Sequence, residues 1–256
     1  MSALTHKSIK GPVVGLLLIV LAGCASAPLV TPEGQPEEPV FAYDRVVPAD
    51  VDRSLLIHDP WEPMNRSIYR FNARVDKYFL LPLIRGYQFV FPGFLRTGIS
   101  NFFNNFFEIR TFGNQILQAR PKPAVQTLGR FAVNTTVGLL GLIDVASPMG
   151  IPYHQEDFGQ TLGRWGVGTG PYLVLPVLGP SSLRDGFGTL TDALWMAALD
   201  PLGLDDSETA RLVYYPLYII DTRQNVAFRY YQTGSPFEYE LVRLLITTKR
   251  ELDVAK

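Results

Sequence analysis

The sequence predicts an all-α fold, and three observations carry that expectation. Apolar residues recur at helical spacing through most of the chain beyond residue 58. The strings DPWE at 59–62, SLRD at 182–185 and SPFE at 235–238 have the form of helix starts, a side-chain acceptor followed three residues on by a carboxylate. The one strand-like run, YLVLPVL at 172–178, is interrupted by Pro176, which argues against a central sheet strand.

The chain has 256 residues, enough to bury a sizeable core. Hydrophobic residues make up 47% and charged residues only 18%, with a mean hydropathy of +0.10. Globular domains carry about 25% charged residues, so this chain is sparsely charged for a water-facing surface. A formal charge of −1 gives no electrostatic basis for binding nucleic acid.

The N-terminus reads as a targeting segment. Residues 1–23 contain Lys7 and Lys10, the apolar stretch PVVGLLLIVLA and then Gly23, the layout of a signal peptide that is too short for a spanning helix. The string LAGC at its end resembles a bacterial lipoprotein box. By that resemblance Cys24 is thioether-linked to diacylglycerol, becomes the mature N-terminus and is N-acylated; the plainer alternative is a secretory signal with a nearby cysteine. Multiple acyl chains anchor firmly where one holds marginally. Ala25 stands where an aspartate would retain a lipoprotein in the inner membrane, so by analogy the destination is the outer membrane, facing the periplasm. Cys24 is also the sole cysteine, so no intrachain disulfide can form.

Residues 24–58 are Pro-rich, acidic and without helical period, a tether. About 30 flexible residues have a root-mean-square span of roughly 30 Å. Within it, Phe41 and Tyr43 are candidates for touching lipid. From Asp59 a helix carries Met64, Ile68, Phe71, Val75 and Phe79 on one face until Pro82 breaks it. Residues 94–117 form the clearest amphipathic helix. Leu95, Ile99, Phe102, Phe103, Phe106, Phe107, Ile109 and Ile116 fall on one side, and Asn101, Asn104, Asn105, Glu108, Thr111 and Gln115 on the other. Its apolar arc is wider than the roughly 100° stripe of a surface helix. Two readings stand: a helix buried on a broad front in the core, or one whose arc partly faces acyl chains. Pro121 and Pro123 separate it from a helix running through Thr127, Phe131 and Val137 into the glycine-broken segment that follows. Further helices are expected from Ser182 to Trp195, over about 207–233, and from Ser235 onward, the last with Phe237, Leu241, Leu244 and Leu245 on one face.

Between two of these helices lies TTVGLLGLIDVASPMG at 135–150. Val137, Gly138, Leu139, Leu140, Gly141, Leu142 and Ile143 carry no polar side chain. As a helix they would reach roughly 10 Å, against about 30 Å of bilayer hydrocarbon, so the segment cannot span. The two glycines would each cost about 1 kcal/mol in a helix relative to alanine. Asp144 ends the apolar run, Pro148 forbids simple continuation and Gly150 allows a reversal. The segment reads as a helix end turning back as a hairpin.

Catalytic and metal chemistry find little support. Only His6, His58 and His154 exist, and His6 leaves with the signal peptide, so no ordinary transition-metal site or cofactor site is expected. GVGTG at 166–170 has no preceding strand, no helix opening on it and no lysine following, so its glycines read as turns. His154, Asp157 and Ser181 or Ser182 are the one combination with hydrolase residue types, but there is no nucleophile elbow and the serines sit where they would cap a helix.

Four stretches carry a family resemblance: DPWEPMNRSIYRFN at 59–72, NFFNNFFEIRTFGNQILQ at 101–118, FAVNTTVGLLGLIDVAS at 131–147 and EDFGQTLGRWGVGTGPYLVLPVLGPSSLRDGFG at 156–188. With the lipoprotein box, they resemble the MlaA/VacJ lipoproteins of Gram-negative outer membranes, from about 59 to 235; residues 236–256 are a less distinctive helix and tail. The matching motif residues are Asp59, Pro60, Glu62, Asn65, Arg66, Phe158, Gly159, Gly166, Gly168, Gly170, Pro171 and Tyr172. The resemblance implies a single ring-like helical domain lying in the inner leaflet of the outer membrane, with an amphipathic central channel. It implies retrograde phospholipid transport: lipids misplaced in the outer leaflet pass to a periplasmic lipid carrier, in association with a trimeric porin and without hydrolysis. It also places a hairpin beside the channel, so Val137 to Ile143, ended by Asp144, are expected to line or gate the lipid path with Gly138 and Gly141 as pivots. The competing readings are a structural envelope or porin scaffold without a channel, and a membrane-attached lipase.

Overall fold

A computed structural model describes residues 57–256. The expected signal peptide, Cys24 and the tether through residue 56, with Phe41 and Tyr43, lie outside the described residues. Among the described residues the fold is mostly helical, as the periodicities predict, with one small hairpin in addition. In chain order the helices are α1 (Glu62–Val75), α2 (Leu81–Val90), α3 (Gly93–Leu117), α4 (Pro121–Thr136), α5 (Phe158–Arg164), α6 (Leu183–Leu199), α7 (Glu208–Gln224) and α8 (Glu238–Ala255). The strands β1 (Tyr172–Leu175) and β2 (Gly179–Ser182) pair antiparallel, Tyr172 opposite Ser182 and Leu175 opposite Gly179. Among the described residues no helix is long and apolar enough to cross a membrane.

Pro176 falls in the hairpin's turn, where the loss of its N–H costs no ladder bond. The hairpin gains its support from α1. Asn65 Oδ1 accepts from Val174 N at 2.9 Å, while Asn72 accepts from Val177 N at 2.7 Å and donates to Leu175 O at 2.9 Å. A stripe of amide side chains on one helix thus stands in for a third strand.

Several local expectations are corrected. Pro82 does not break the first helix. A π-helical turn over Asp76–Leu80 joins α1 to α2, and Pro82 sits in the first turn of α2, where its missing N–H is tolerated. Neither DPWE nor SPFE forms a capping box: α1 starts at Glu62 and α8 at Glu238, each without a side-chain cap. Asp59 instead accepts from Asn65, Tyr239 and Arg243, and Glu238 accepts from Tyr69 and from the backbone at Tyr231 and Thr233. Long-range partners outbid the local cap in both places. SLRD does cap: Ser182 Oγ accepts from Asp185 N at 3.1 Å. The helix expected to run to 233 ends at Gln224, because Arg223 turns inward, donating to both Asp76 carboxylate oxygens and to the Val226 and Phe228 carbonyls.

Of the two readings left open for the helix over 94–117, the structure favours the one in which part of the apolar arc faces outward. On α3 the buried residues are Phe103, Asn105, Phe106, Glu108, Thr111, Asn114 and Gln115, whereas Phe94, Leu95, Ile116 and Leu117 are exposed. On α1 the buried stripe is Asn65, Tyr69, Asn72 and Ala73, whereas Met64, Phe71 and, just beyond, Phe79 point out. On α8 Glu238, Glu240 and Arg243 are buried and Leu241 and Leu245 exposed. Apolar side chains still form small clusters, Tyr69–Tyr172–Val174–Tyr239–Val242 and Ile84–Tyr87–Ile220. Yet among the described residues 24 polar or charged residues are buried against 14 apolar ones, so the usual partition is reversed.

Helix α5 crosses α6 at two glycines. A Cβ on Gly188 would stand 2.6 Å from the Gly159 Cα, against backbone that cannot swing aside. Gly188→Ala is expected to cost about 1–3 kcal/mol through forced separation of the two helices, read as a lowered unfolding midpoint of the detergent-solubilised protein; an unchanged midpoint would show the crossing to be loose.

Candidate functional site

The loop after α4 is built from its polar underside. Arg130 and Asn134 lie four residues apart, hence on one face of α4, which packs against α3. Arg130 donates from Nε to Glu108 Oε1 at 3.0 Å, from Nη2 to both Asp144 oxygens at 3.1 and 3.2 Å, and from Nη1 to Ser147 Oγ and Ile151 O. Asn134 donates to Asp144 at 3.1 Å and its Oδ1 accepts from Val145 N and Ala146 N, both at 2.9 Å. One arginine and one asparagine therefore hold both ends of the returning chain.

Above this clamp the backbone winds tightly. Gly141 N donates back to Asn134 O at 2.8 Å and Ile143 N to Gly138 O at 2.8 Å. Leu139 and Leu140 take φ of 54° and 58°, the left-handed region that leucine rarely occupies, and Gly141 has φ 89°. Both glycines are buried. A Cβ at Gly141 would lie 2.6 Å from Asn105 Cβ, and one at Gly138 would lie 2.5 Å from the Asn134 carbonyl. Val137, Leu139, Leu140, Leu142 and Ile143 are all exposed, Leu140 at 69%. Asn101 fastens the far side by donating to Leu142 O at 3.1 Å. The segment is an apolar ridge on a polar bed.

Electrostatically the bed is uneven. Burial pushes the Glu108 carboxyl up to about 7 despite the pull of Arg130. Burial also acts against ionised Asp144, but bonds from Ser147 and Asn134 and the charge of Arg130 outweigh it and hold Asp144 below the usual carboxylate range. Glu108 Oε2, Asn105 Oδ1, Thr127 Oγ1, Gln118 Oε1 and both amide atoms of Gln115 are buried without a protein partner. Such groups are met by water or by polar groups of a ligand, so the inner face of α3 and α4 is polar and hydratable.

The motif residues are structural neighbours in two groups. Asp59, Glu62 and Arg66 meet Arg243, Tyr239 and Glu240 of α8, with Arg66 paired to both Glu62 and Glu240, and Asn65 donates to Asp59 and to Tyr172 O. Pro60 opens the turn before α1. Phe158 N donates to Asp192 at 2.9 Å, and Gly159 forms the helix crossing. Gly166 and Gly170 take φ of 90° and 70°, Gly168 has open space around it, and Pro171 O accepts from Leu183 N. Tyr172 is buried in the core. The hydrolase combination is not assembled: His154 Nε2 meets Gln126, Asp157 caps α5 and pairs with Arg250, and Ser182 caps α6. Among the described residues no group of histidines and carboxylates is placed to hold a metal ion. Sequence reasoning missed Glu108, Arg130 and Asn134 as a unit. The i, i+4 pairing of Arg130 with Asn134 was the available signal.

Residues 57–253 match the family model described as MlaA lipoprotein. A Rickettsia bellii protein, described as uncharacterized, is 34% identical over 201 residues, covering 77% of each chain. The Escherichia coli K12 protein described as "Intermembrane phospholipid transport system lipoprotein MlaA" is 39% identical over 142 residues, 54% of this chain and 56% of the relative. A solved structure described as "Structural basis for maintenance of bacterial outer membrane lipid asymmetry" superposes with a TM-score of 0.60 at 30% identity, covering 77% of this chain and 98% of that one.

Proposed function

Because the chain belongs to the MlaA lipoprotein family, we propose that it is an outer-membrane lipoprotein that removes mislocalised phospholipids from the outer leaflet and passes them to a periplasmic carrier. The observation that carries this reading is the reversed partition: many exposed apolar side chains over a polar, hydratable interior, with no spanning helix among the described residues. A phospholipid that changes leaflet must not drag its charged headgroup through hydrocarbon, which costs several kcal/mol or more. A helical ring lying in one leaflet, apolar towards acyl chains and polar within, removes that cost. The relative named above for an intermembrane phospholipid transport system supports the same direction of reading. The acylated Cys24 anchors the body on the periplasmic face. The remaining partners are a trimeric porin and the soluble carrier, and lipid passes through unhydrolysed.

In this scheme the ridge Val137 to Ile143 borders the lipid path and must shift for lipid to pass, with Gly138 and Gly141 permitting the shift. The test is a reversible lock. Asn101→Cys with Leu142→Cys joins α3 to the ridge at a point of existing contact. In a deletion strain, the reduced double variant is expected to clear outer-leaflet phospholipid as the wild type does. The oxidised form is expected to leave lipid exposed and cells sensitive to detergent with EDTA. Equal clearance by both forms would sink the gate and favour a static scaffold.

A further inference from the structure

A polar cleft of about 390 Å³ lies between the end of α2, the start of α3 and the end of α7. Gln88, Arg96, Thr97, Ser100, Gln224 and Asn225 line it, together with the glycine that opens α3. All six offer hydrogen-bonding side chains. Arg96 has no carboxylate partner among the described residues; its Nε donates to Phe91 O at 3.1 Å, leaving the Nη groups for a ligand. Beneath the lining lies Asp221, 4% exposed, which accepts from Ser100 Oγ at 2.5 Å, Gln224 Nε2 at 2.9 Å and Asn225 Nδ2 at 3.3 Å. A cation at the mouth and an anion under the floor thus share one cleft. Beside it Phe89 is 93% exposed, with Val90 and Phe94 also standing clear of the protein.

We propose that this cleft binds the headgroup of a zwitterionic glycerophospholipid, with the phosphate on Arg96 and the ammonium over the Gln224 and Asn225 carbonyl oxygens above Asp221. The inference rests on the membrane reading given above and adds headgroup selection to it. Arg96 supplies paired N–H donors that suit phosphate oxygens, reinforced by the N-terminal end of the α3 dipole. Asp221 attracts an ammonium and repels a headgroup that carries only negative charge. Phe89 and Phe94 meet the proximal acyl carbons. The pair therefore prefers phosphoethanolamine lipids to phosphoglycerol lipids, a choice that a merely basic patch would reverse.

The test uses the full-length lipidated protein in detergent, titrated with phosphatidylethanolamine, phosphatidylglycerol, free phosphoethanolamine or inorganic phosphate, with bound molecules counted by native mass spectrometry. The wild type is expected to bind phosphatidylethanolamine at least five-fold more tightly than phosphatidylglycerol. Arg96→Gln is expected to lose most of that binding, and Asp221→Asn to erase the preference. Because Asp221 also organises its neighbours, Thr97→Val provides a second variant, expected to weaken phosphatidylethanolamine without disturbing the fold. Equal affinity for the two lipids, undiminished binding in Arg96→Gln, or phosphate binding as tight as that of the lipid would each overturn the proposal, the last by marking a plain anion site. Lipid clearance in the deletion strain is scored alongside. Clearance without headgroup preference defeats only this inference, and failure of clearance by the wild type defeats the transport reading.

Discussion

Replacing Arg130 with methionine is expected to destabilise the protein by about 3–5 kcal/mol, because it leaves Glu108 buried without its cation. Arg130 and Glu108 side chains are 4% and 1% exposed, so neither is open to bulk solvent. The same substitution releases Asp144, Ser147 and the Ile151 carbonyl, which frees the returning limb of the ridge. A lower unfolding midpoint and faster proteolysis around residues 137–150 are the expected readouts in detergent solution. Adding Glu108→Gln should restore part of the loss by removing the stranded carboxylate. A single variant within 1 kcal/mol of wild type would show that the clamp holds nothing.

The same clamp has a pH signature. Glu108 has a folded pKa raised from 4.5 to about 7, so between those values the folded state binds more protons than the unfolded one. Its contribution is complete below the unfolded value and declines as pH rises to about 7, by about 3 kcal/mol over that window. Asp144 works the other way, its contribution being lost as pH falls below its ordinary value. Glu108→Gln should flatten stability between pH 4.5 and 7 and leave the acid limb in place. A wild-type profile that rises across that window would contradict the raised carboxyl.

Helix positions and one cap were legible because they depend on local chemistry: Ser182 starts α6 by bonding Asp185 N, and Pro121 starts α4. Orientation was not legible from the apolar stripe alone. Periodicity says that two faces of a helix differ but not which of them meets the core, so both readings of α3 stood open. Here Met64, Phe71 and Phe79 point out while Asn65, Asn72 and Asp76 are buried. The polar residues Asn105, Glu108, Thr111, Gln115 and Gln118 recur at three- and four-residue spacing, which a solvated face and a buried polar face share. DPWE and SPFE fail as capping boxes for a different reason: Asp59 and Glu238 are engaged elsewhere. Their partners, Arg243 and Tyr69, lie 184 and 169 residues away in sequence, and no local pattern announces such a contact.

Arg250→Met is expected to cost a similar 3–5 kcal/mol, from the opposite end of the chain. Arg250 on α8 forks onto Asp157 with bonds of 2.7 and 2.8 Å and reaches Asp185 at 3.0 Å. Each aspartate stands at a helix N-terminus: Asp157 accepts from Gln160 N at the start of α5, and Asp185 lies in the first turn of α6. One guanidinium therefore ties α8 to the two helices that cross at Gly159 and Gly188. Burial acts to raise Asp157, but the Arg250 bonds and charge, with the Gln160 N–H, outweigh it and bring the carboxyl down to about 2. A carboxyl lowered in this way contributes stability above its unfolded value of 3.8, which is lost as pH falls towards 2. Arg250→Met should lower stability near neutral pH and also shrink that acid-dependent loss, since an unpaired Asp157 titrates nearer its ordinary value. Arg250→Lys keeps the charge but not the fork, and should fall between the two. If the methionine variant loses stability but keeps the full acid slope, packing of the arginine stem and not its charge joins α8 to the crossing.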